Sequence, residues 1–384
     1  MSHLARARLA VAIVFFAVGS LVGTWASRIP DIKSYLGLSE AGFGVLLLIM
    51  AVGGILSFPL SGRAIDRFGG VTGARVGVAV CFAIFALVPL AGSVWVIAPI
   101  LAAFGAIIGA SDVAMNAWAA EVEKAMAKPI MSSFHGLYSL GAGVGAGFGG
   151  LTISLGWSVT THIWVVLAAL SVICLIFVRV PWTSETHETT GKRPPLVALP
   201  RGGLIFIGGM AFCAAVSEGS AVDWAALYQI QELGIEPSMA AIGFSVFSVA
   251  MVGMRFAGDH IIARFGQMNT AIASGITAGI GAMIFVLGSD PYVIWLGCGI
   301  MGLGNAVIFP IAFSRAAADP DMSPGEALAA VSTLGYGAFL FGPPLIGFIA
   351  EASSLRASFV LIAVLSFLIA VFAVLGRRQE RRVL

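Results

Sequence analysis

The chain has 384 residues, 59% of them hydrophobic and only 10% charged. Soluble domains carry about a quarter charged residues, so the composition excludes a water-facing globular surface and makes lipid the main solvent. The net charge of +2 leaves no nucleic-acid footprint. Cys81, Cys174, Cys213 and Cys298 sit singly in apolar runs and suggest neither a disulfide framework nor a metal site.

The expected class is an all-α integral membrane protein. Arg6 and Arg8 precede an apolar run, a pattern that a secretory signal shares. Eleven further spans make an uncleaved first helix the expectation. A spanning helix needs about 20 mostly apolar residues. Such runs fall near 8–27, 42–60, 74–92, 94–118, 130–154 and 160–179. A second set falls near 203–230, 239–257, 269–288, 291–314, 325–349 and 356–376. Their length and continuity exclude β-barrel strands.

Between the two sets lies the one long polar stretch. The organisation expected is therefore an N-terminal six-helix bundle over 1–180, a cytoplasmic linker over 181–202 and a C-terminal six-helix bundle over 203–384. Of the 21 basic residues, only Arg28, Lys33 and Arg356 fall on the side opposite the termini. By the positive-inside rule both termini are cytoplasmic, in a multi-pass protein of the inner (plasma) membrane. A monomer is expected.

The halves repeat. Ile65-Asp66-Arg67-Phe68-Gly69 follows the second span, and Ile262-Ala263-Arg264-Phe265-Gly266 follows the eighth, 197 residues later. The same offset carries Gly145 and Gly150 onto Gly342 and Gly347. Two similar halves around a midplane site are a transporter plan.

Gly62-Arg63-Ala64-Ile65-Asp66-Arg67-Phe68-Gly69 resembles the G-x-x-x-D-R-x-G loop of the major facilitator superfamily. The resemblance implies twelve transmembrane helices in two six-helix halves. It also implies that Gly62, Asp66, Arg67 and Gly69 help govern a cytoplasmic gate. In the second copy Ala263 replaces the acid, while Asp259 sits four residues after Arg255, so a gate at Arg255 and Asp259 must be rewired.

Charges in the bilayer centre cost about 2.5–3.5 kcal/mol on insertion scales and mark pathways for protons or ions. Asp112, Glu218 and Asp223 are the candidates for proton coupling. Asp112 is expected about 8 Å to the cytoplasmic side of the middle of its span, from the helical rise. Asp112 and Asn116 share a face at i, i+4. Gly109-Ala-Ser-Asp112-Val-Ala-Met-Asn116 resembles the G-x-x-E-x-x-x-N stretch of fucose-permease-type sugar/proton symporters, and Asn305-Ala-Val-Ile-Phe309-Pro310 resembles their N-x-x-x-F-P stretch. That resemblance implies proton coupling at the acid and substrate contacts nearby. The sequence departs from it in the first span. Ala26 stands four residues before Pro30, where that family has an aspartate.

A break at Gly219 could bring Glu218 and Asp223 together, which an unbroken helix holds about 140° apart. On the fifth span Ser132, His135 and Ser139 share a face, with Tyr138 beside them. Asn116, His135, Tyr138, Trp224, Asn305 and Tyr336 are the candidate substrate contacts. Trp25 is a candidate stacking ring or a packing residue, and His162 is expected to be structural. Gly145-Ala146-Gly147-Phe148-Gly149-Gly150 resembles the helix-five G-P-x-x-G-G motif of proton-driven antiporters, with Ala146 in place of the proline. Packing alone also explains glycines four apart.

No nucleotide loop, catalytic triad or cofactor motif stands out, so no enzyme activity is expected. The expected function is proton-coupled symport of a small polar solute such as a sugar, by alternating access. The alternatives are a proton-driven exporter of an organic compound and a non-transporting membrane sensor with a transporter fold.

Overall fold

The computed structural model describes residues 2–38, 40–186 and 199–383. The middle of the linker, with Lys192, Arg193, Pro194 and Pro195, lies outside the described residues. Among the described residues every regular element is helical. Before the linker come α1 (His3–Tyr35), α2 (Glu40–Phe68), α3 (Gly70–Phe85), α4 (Val94–Met126), α5 (Met131–Ser154) and α6 (Val159–Phe177). After it come α7 (Leu204–Asp223), α8 (Ala225–Leu233), α9 (Pro237–Phe265), α10 (Gln267–Leu287), α11 (Pro291–Asn305), α12 (Ile308–Ala317), α13 (Pro324–Ala352) and α14 (Leu355–Val383).

Eleven segments in the described residues are long and apolar enough to cross a membrane, with α11 and α12 forming one of them. The glycine- and serine-rich α5, 24 residues long, makes the twelfth long segment. Several helices overrun the apolar windows that announce them. Helix propagation costs little once a turn exists, so the helix runs on into polar flanks until a cap stops it. Ser2 accepts from the Ala5 N–H to start α1, and Ser158 accepts from the Thr161 N–H to start α6. Gly69 ends α2 and Gly266 ends α9, both at φ +81°, a backbone region that favours glycine. Their amides close the preceding turns onto Ile65 and Ile262. The 197-residue repeat is thus visible in the backbone.

Two spans are interrupted. The seventh breaks at Trp224, between α7 and α8, and not at Gly219, which stays inside α7. The tenth breaks at Ala306–Val307. Pro310 lacks an N–H, so it cannot close a helical bond onto Ala306.

The chain forms two compact units. The first comprises residues 1–128, 134–198 and 322–329, and the second comprises 129–133, 199–321 and 330–384. In the first, Trp25, Phe43, Phe85, Phe104 and Ile163 belong to one buried apolar cluster. Trp25 is 4% exposed and stacks on Phe43 at 6.5 Å, which makes it a packing residue. In the second, Tyr228, Phe285 and Phe359 pack with ring centroids 4.7–5.2 Å apart, and the Tyr228 hydroxyl donates to the Val286 carbonyl.

Lipid supplies little hydrophobic drive between helices, so close backbone approach at small residues carries the packing. On α1 a Cβ at Gly19 would lie 2.0 Å from the Tyr138 carbonyl oxygen, and one at Gly23 would lie 2.0 Å from that of Ala142. On α5 a Cβ at Gly145 would lie 2.3 Å from the Ser20 carbonyl oxygen. Backbone cannot yield as a flexible side chain does. Gly23→Val is therefore expected to remove most monodisperse protein on size exclusion in detergent. A wild-type yield and elution volume would contradict this packing.

Candidate functional site

In the first unit α4 and α5 bring three of the candidates together. Asp112 is 5% exposed and Asn116 is fully buried. One turn apart on α4, they bond directly. The Asn116 Nδ2 donates to the Asp112 carbonyl at 2.9 Å and to Asp112 Oδ1 at 3.3 Å. That fixes the amide, so its Oδ1 faces His135 Nε2 at 3.1 Å. An amide oxygen only accepts, so His135 carries its proton on Nε2. Phe15 packs edge-on against the imidazole at 5.4 Å. The result is a continuous His135–Asn116–Asp112 hydrogen-bonded chain. The observed α4 is longer than its apolar window, which puts Asp112 two residues past the helix midpoint, about 3 Å by rise. Tyr138 is half-buried on α5.

In the second unit Glu218 of α7 pairs with Arg255 of α9, Oε2 to Nη2 at 3.7 Å. The distance marks an ion pair without a good hydrogen bond. The Arg255 Nε donates to the Ala306 carbonyl at 3.3 Å, which is the carbonyl Pro310 leaves without a helical donor. One turn of the tenth span is thereby tied to an acid on the seventh. Asn305, 1% exposed, donates to Ser217 Oγ and to the Met301 carbonyl, both at 3.0 Å, while its Oδ1 has no hydrogen-bond partner among the described residues. Asp223 is exposed at the end of α7 and does not join Glu218, because the helix is unbroken between them. Trp224 sits in the turn after it, lining a small cavity with Gly342 and Pro343. Tyr336 is half-buried on α13.

The loop residues form two helix caps. The Asp66 carboxylate accepts from Ser323 Oγ at 2.5 Å and from the Gly325 N–H at 3.0 Å, at the start of α13 and inside the first unit. Gly62 is needed beside it, since its Cβ would lie 2.7 Å from the Gly325 carbonyl oxygen. In the second unit Asp259 accepts from the Ser132 N–H at 2.9 Å and the Ser133 N–H at 3.2 Å, at the start of α5, and also from Ser133 Oγ. Ser132 Oγ donates to the Arg255 carbonyl at 2.6 Å. The two acids do the same job, because a helix N-terminus favours negative charge. The second acid stands one turn earlier than the repeat would place it. Arg67 is exposed and lies over the Phe68 ring at 5.2 Å.

Sequence reasoning missed two clusters. Arg28, taken for a loop charge, is 2% exposed. Its guanidinium donates to His162 Nδ1, Thr152 Oγ1, Asp31 and the Trp157 carbonyl. His162 is therefore placed as a structural acceptor. The other cluster is at the start of the linker. Glu121 accepts from Trp182 Nε1 at 2.7 Å and from Ser184 Oγ at 2.9 Å. Ser184 Oγ accepts from the Val71 N–H and fills the space a Cβ on Gly69 would need. Nothing local signalled either cluster, since Arg28 reaches His162 across 134 residues and Trp182 reaches Glu121 across 61.

A chain of long apolar helices with internal repeats and acids inside its spans is a polytopic membrane transporter by architecture. It belongs to the Major Facilitator Superfamily, whose family model matches residues 9–323. It is 39% identical over 366 residues to the uncharacterized transporter y4wD of Sinorhizobium fredii, covering 94% of this chain and 96% of that protein. The crystal structure of the transporter FucP superposes with a TM-score of 0.83 at 16% identity, covering 98% and 99% of the two chains. The proton:xylose symporter XylE gives 0.77 at 15% identity, over 97% and 95%. At such identities the likeness shows a shared fold.

Proposed function

We propose that the protein is a proton-coupled symporter of a small polar solute such as a sugar, working by alternating access. The observation that carries this reading is the buried His135–Asn116–Asp112 chain within membrane-spanning helices. A carboxyl group withdrawn from water escapes the cost of its charge by taking up a proton. Asp112 is the leading carrier, Glu218 the second and Asp223 the third. His135, Asn116, Tyr138, Trp224, Asn305 and Tyr336 are the proposed substrate contacts. The unsatisfied Asn305 Oδ1 fits a role in accepting from a solute hydroxyl. Gly62, Asp66, Arg67, Gly69, Arg255 and Asp259 are the proposed gate, on the cytoplasmic face of the inner membrane, where both termini also lie. The bundles are proposed to span 1–180 and 203–384, joined by the 181–202 linker, in a monomer.

The fold neighbours support a sugar as the solute, since XylE is described as a proton:xylose symporter. Close packing accounts for two of the antiporter-like glycines, Gly145 against the backbone of α1 and Gly149 against the Ser27 side chain, while a Cβ at Gly147 or Gly150 would meet open space. A thermal-shift screen of the purified protein tests the substrate class. A ligand at a hundred times its Kd adds about 2.7 kcal/mol to the folded state. Sugars or polyols are expected to raise the transition. Stabilisation by amphipathic cations alone would favour export, and no hit together with no flux in vesicles would favour a sensor.

A further inference from the structure

A pocket of about 400 Å³ opens between α3 and α6 in the first unit. That volume falls in the range of small-molecule clefts, about 300–1,000 Å³. Its walls are apolar, formed chiefly by Val78, Phe82, Cys174 and Leu175, while Arg75 and Arg179 also line it. None of its lining residues is acidic.

The cleft has a charged end and an apolar end. Arg75 is five residues into α3, and Arg179 lies two residues past the end of α6. Both are therefore at the end of the unit where the linker begins and where His3 stacks on Trp182. Phe82 lies seven residues further along α3, about 10 Å deeper by helical rise. Arg75 is held in place. Its Nε and Nη2 donate to the Val178 carbonyl at 3.1 and 2.8 Å, Nη2 also reaches the Val180 carbonyl, and its guanidinium lies 5.5 Å over the Trp118 ring. Arg179 is exposed and has no hydrogen-bond or ion-pair partner among the described residues.

We propose that this cleft is a binding site for an anionic glycerophospholipid of the surrounding bilayer. The headgroup phosphate meets Arg75 and Arg179, and an acyl chain runs along Val78 and Phe82. The guanidinium of Arg179 offers paired N–H donors to phosphate oxygens, and Arg75, whose Nε and Nη2 are committed to the Val178 and Val180 carbonyls, adds the N–H groups of Nη1. Basic pockets between membrane helices are a recurring setting for anionic headgroups. Charge complementarity and the apolar depth favour a lipid over a free anion, which would leave the wall beyond the arginines uncovered.

Native mass spectrometry of the purified protein in detergent tests the site. The probes are dioleoyl phosphatidylglycerol and dioleoyl phosphatidylcholine, at matched concentrations. Phosphatidylglycerol should be retained preferentially, and Arg179→Gln should cut that preference about fivefold, as expected for one arginine near an anionic headgroup. Ser171→Phe, which adds bulk to the cleft wall, should lower retention of both lipids. Arg264→Gln removes an exposed arginine of the second unit and should leave the preference intact. Inorganic phosphate at millimolar concentration should not displace the lipid. The proposal is overturned if Arg179→Gln binds like the parent or if Arg264→Gln loses as much as Arg179→Gln. Equal retention of the two lipids by the parent, or displacement by phosphate, would overturn it as well.

Discussion

Asp66→Asn is expected to slow transport about tenfold or more while leaving ligand affinity nearly unchanged. The Asp66 carboxylate accepts two hydrogen bonds at the start of α13, one from Ser323 Oγ and one from the Gly325 N–H. Ser323 Oγ in turn lies 3.3 Å from the Glu326 N–H, so it joins the acid to the first turn of the helix. Hydrogen bonds to a charged group contribute about 1.5–3 kcal/mol each, and the helix dipole adds to that preference for a negative charge. Asparagine keeps the shape and one acceptor but loses the charge, and its NH₂ group faces a donor. None of the proposed substrate contacts is a partner in this cap. The change therefore falls on the conformational cycle, and uptake rate and equilibrium affinity in the same vesicles separate the two. An unchanged uptake rate would count against a gating role.

Asp259→Asn should have the same signature, because Asp259 caps α5 through the Ser132 and Ser133 amides. Adding Ala263→Asp to that variant restores the acid at the repeat position. It stands four residues away, about 6 Å along the helix axis, and should not restore the rate.

Much of the fold was legible because a spanning helix announces itself locally. Continuous apolar runs and the distribution of arginines and lysines are read without knowing any neighbour. The exact turns at which helices stop were less legible. Gly219 looked like the break in the seventh span, yet a single glycine costs a helix only about 1 kcal/mol and α7 runs through it. The break in the tenth span was not anticipated, although a proline there withholds a helical donor. Pro310 frees the Ala306 carbonyl, and Arg255 takes it up.

The candidate site was legible where its members are sequence neighbours. Asp112 and Asn116 are one turn apart, so their shared face follows from helical geometry. That His135 completes the chain depends on how α4 and α5 pack, across 19 residues. The Arg28–His162 bond spans 134 residues and the Trp182–Glu121 bond 61. Hydropathy carries no information on such pairings. The relation of Glu218 to Arg255 was hidden for the same reason, although each had been picked out alone.

Asp112→Asn is expected to abolish proton-driven accumulation and to leave substrate binding measurable. Asp112 lies deep in α4 and is 5% exposed, with Oδ1 held by the Asn116 amide. An acid there can carry a proton between the two sides as access alternates, because its neutral form is compatible with a low-dielectric surround. Asparagine matches its size and keeps an acceptor for the Asn116 amide, but it cannot titrate. Asn116 keeps its second bond, to the backbone carbonyl of residue 112, so the amide still presents Oδ1 to His135. A merely structural aspartate would behave differently, with lower yield or stability and intact coupling in the protein that folds.

The direct measurement is pH-gradient-driven uptake beside counterflow exchange, in one preparation of reconstituted vesicles. Asp112→Asn should exchange substrate in counterflow but should not concentrate it when the gradient is applied. If the variant still concentrates substrate against its gradient, Asp112 is not the proton carrier, and the role passes to Glu218.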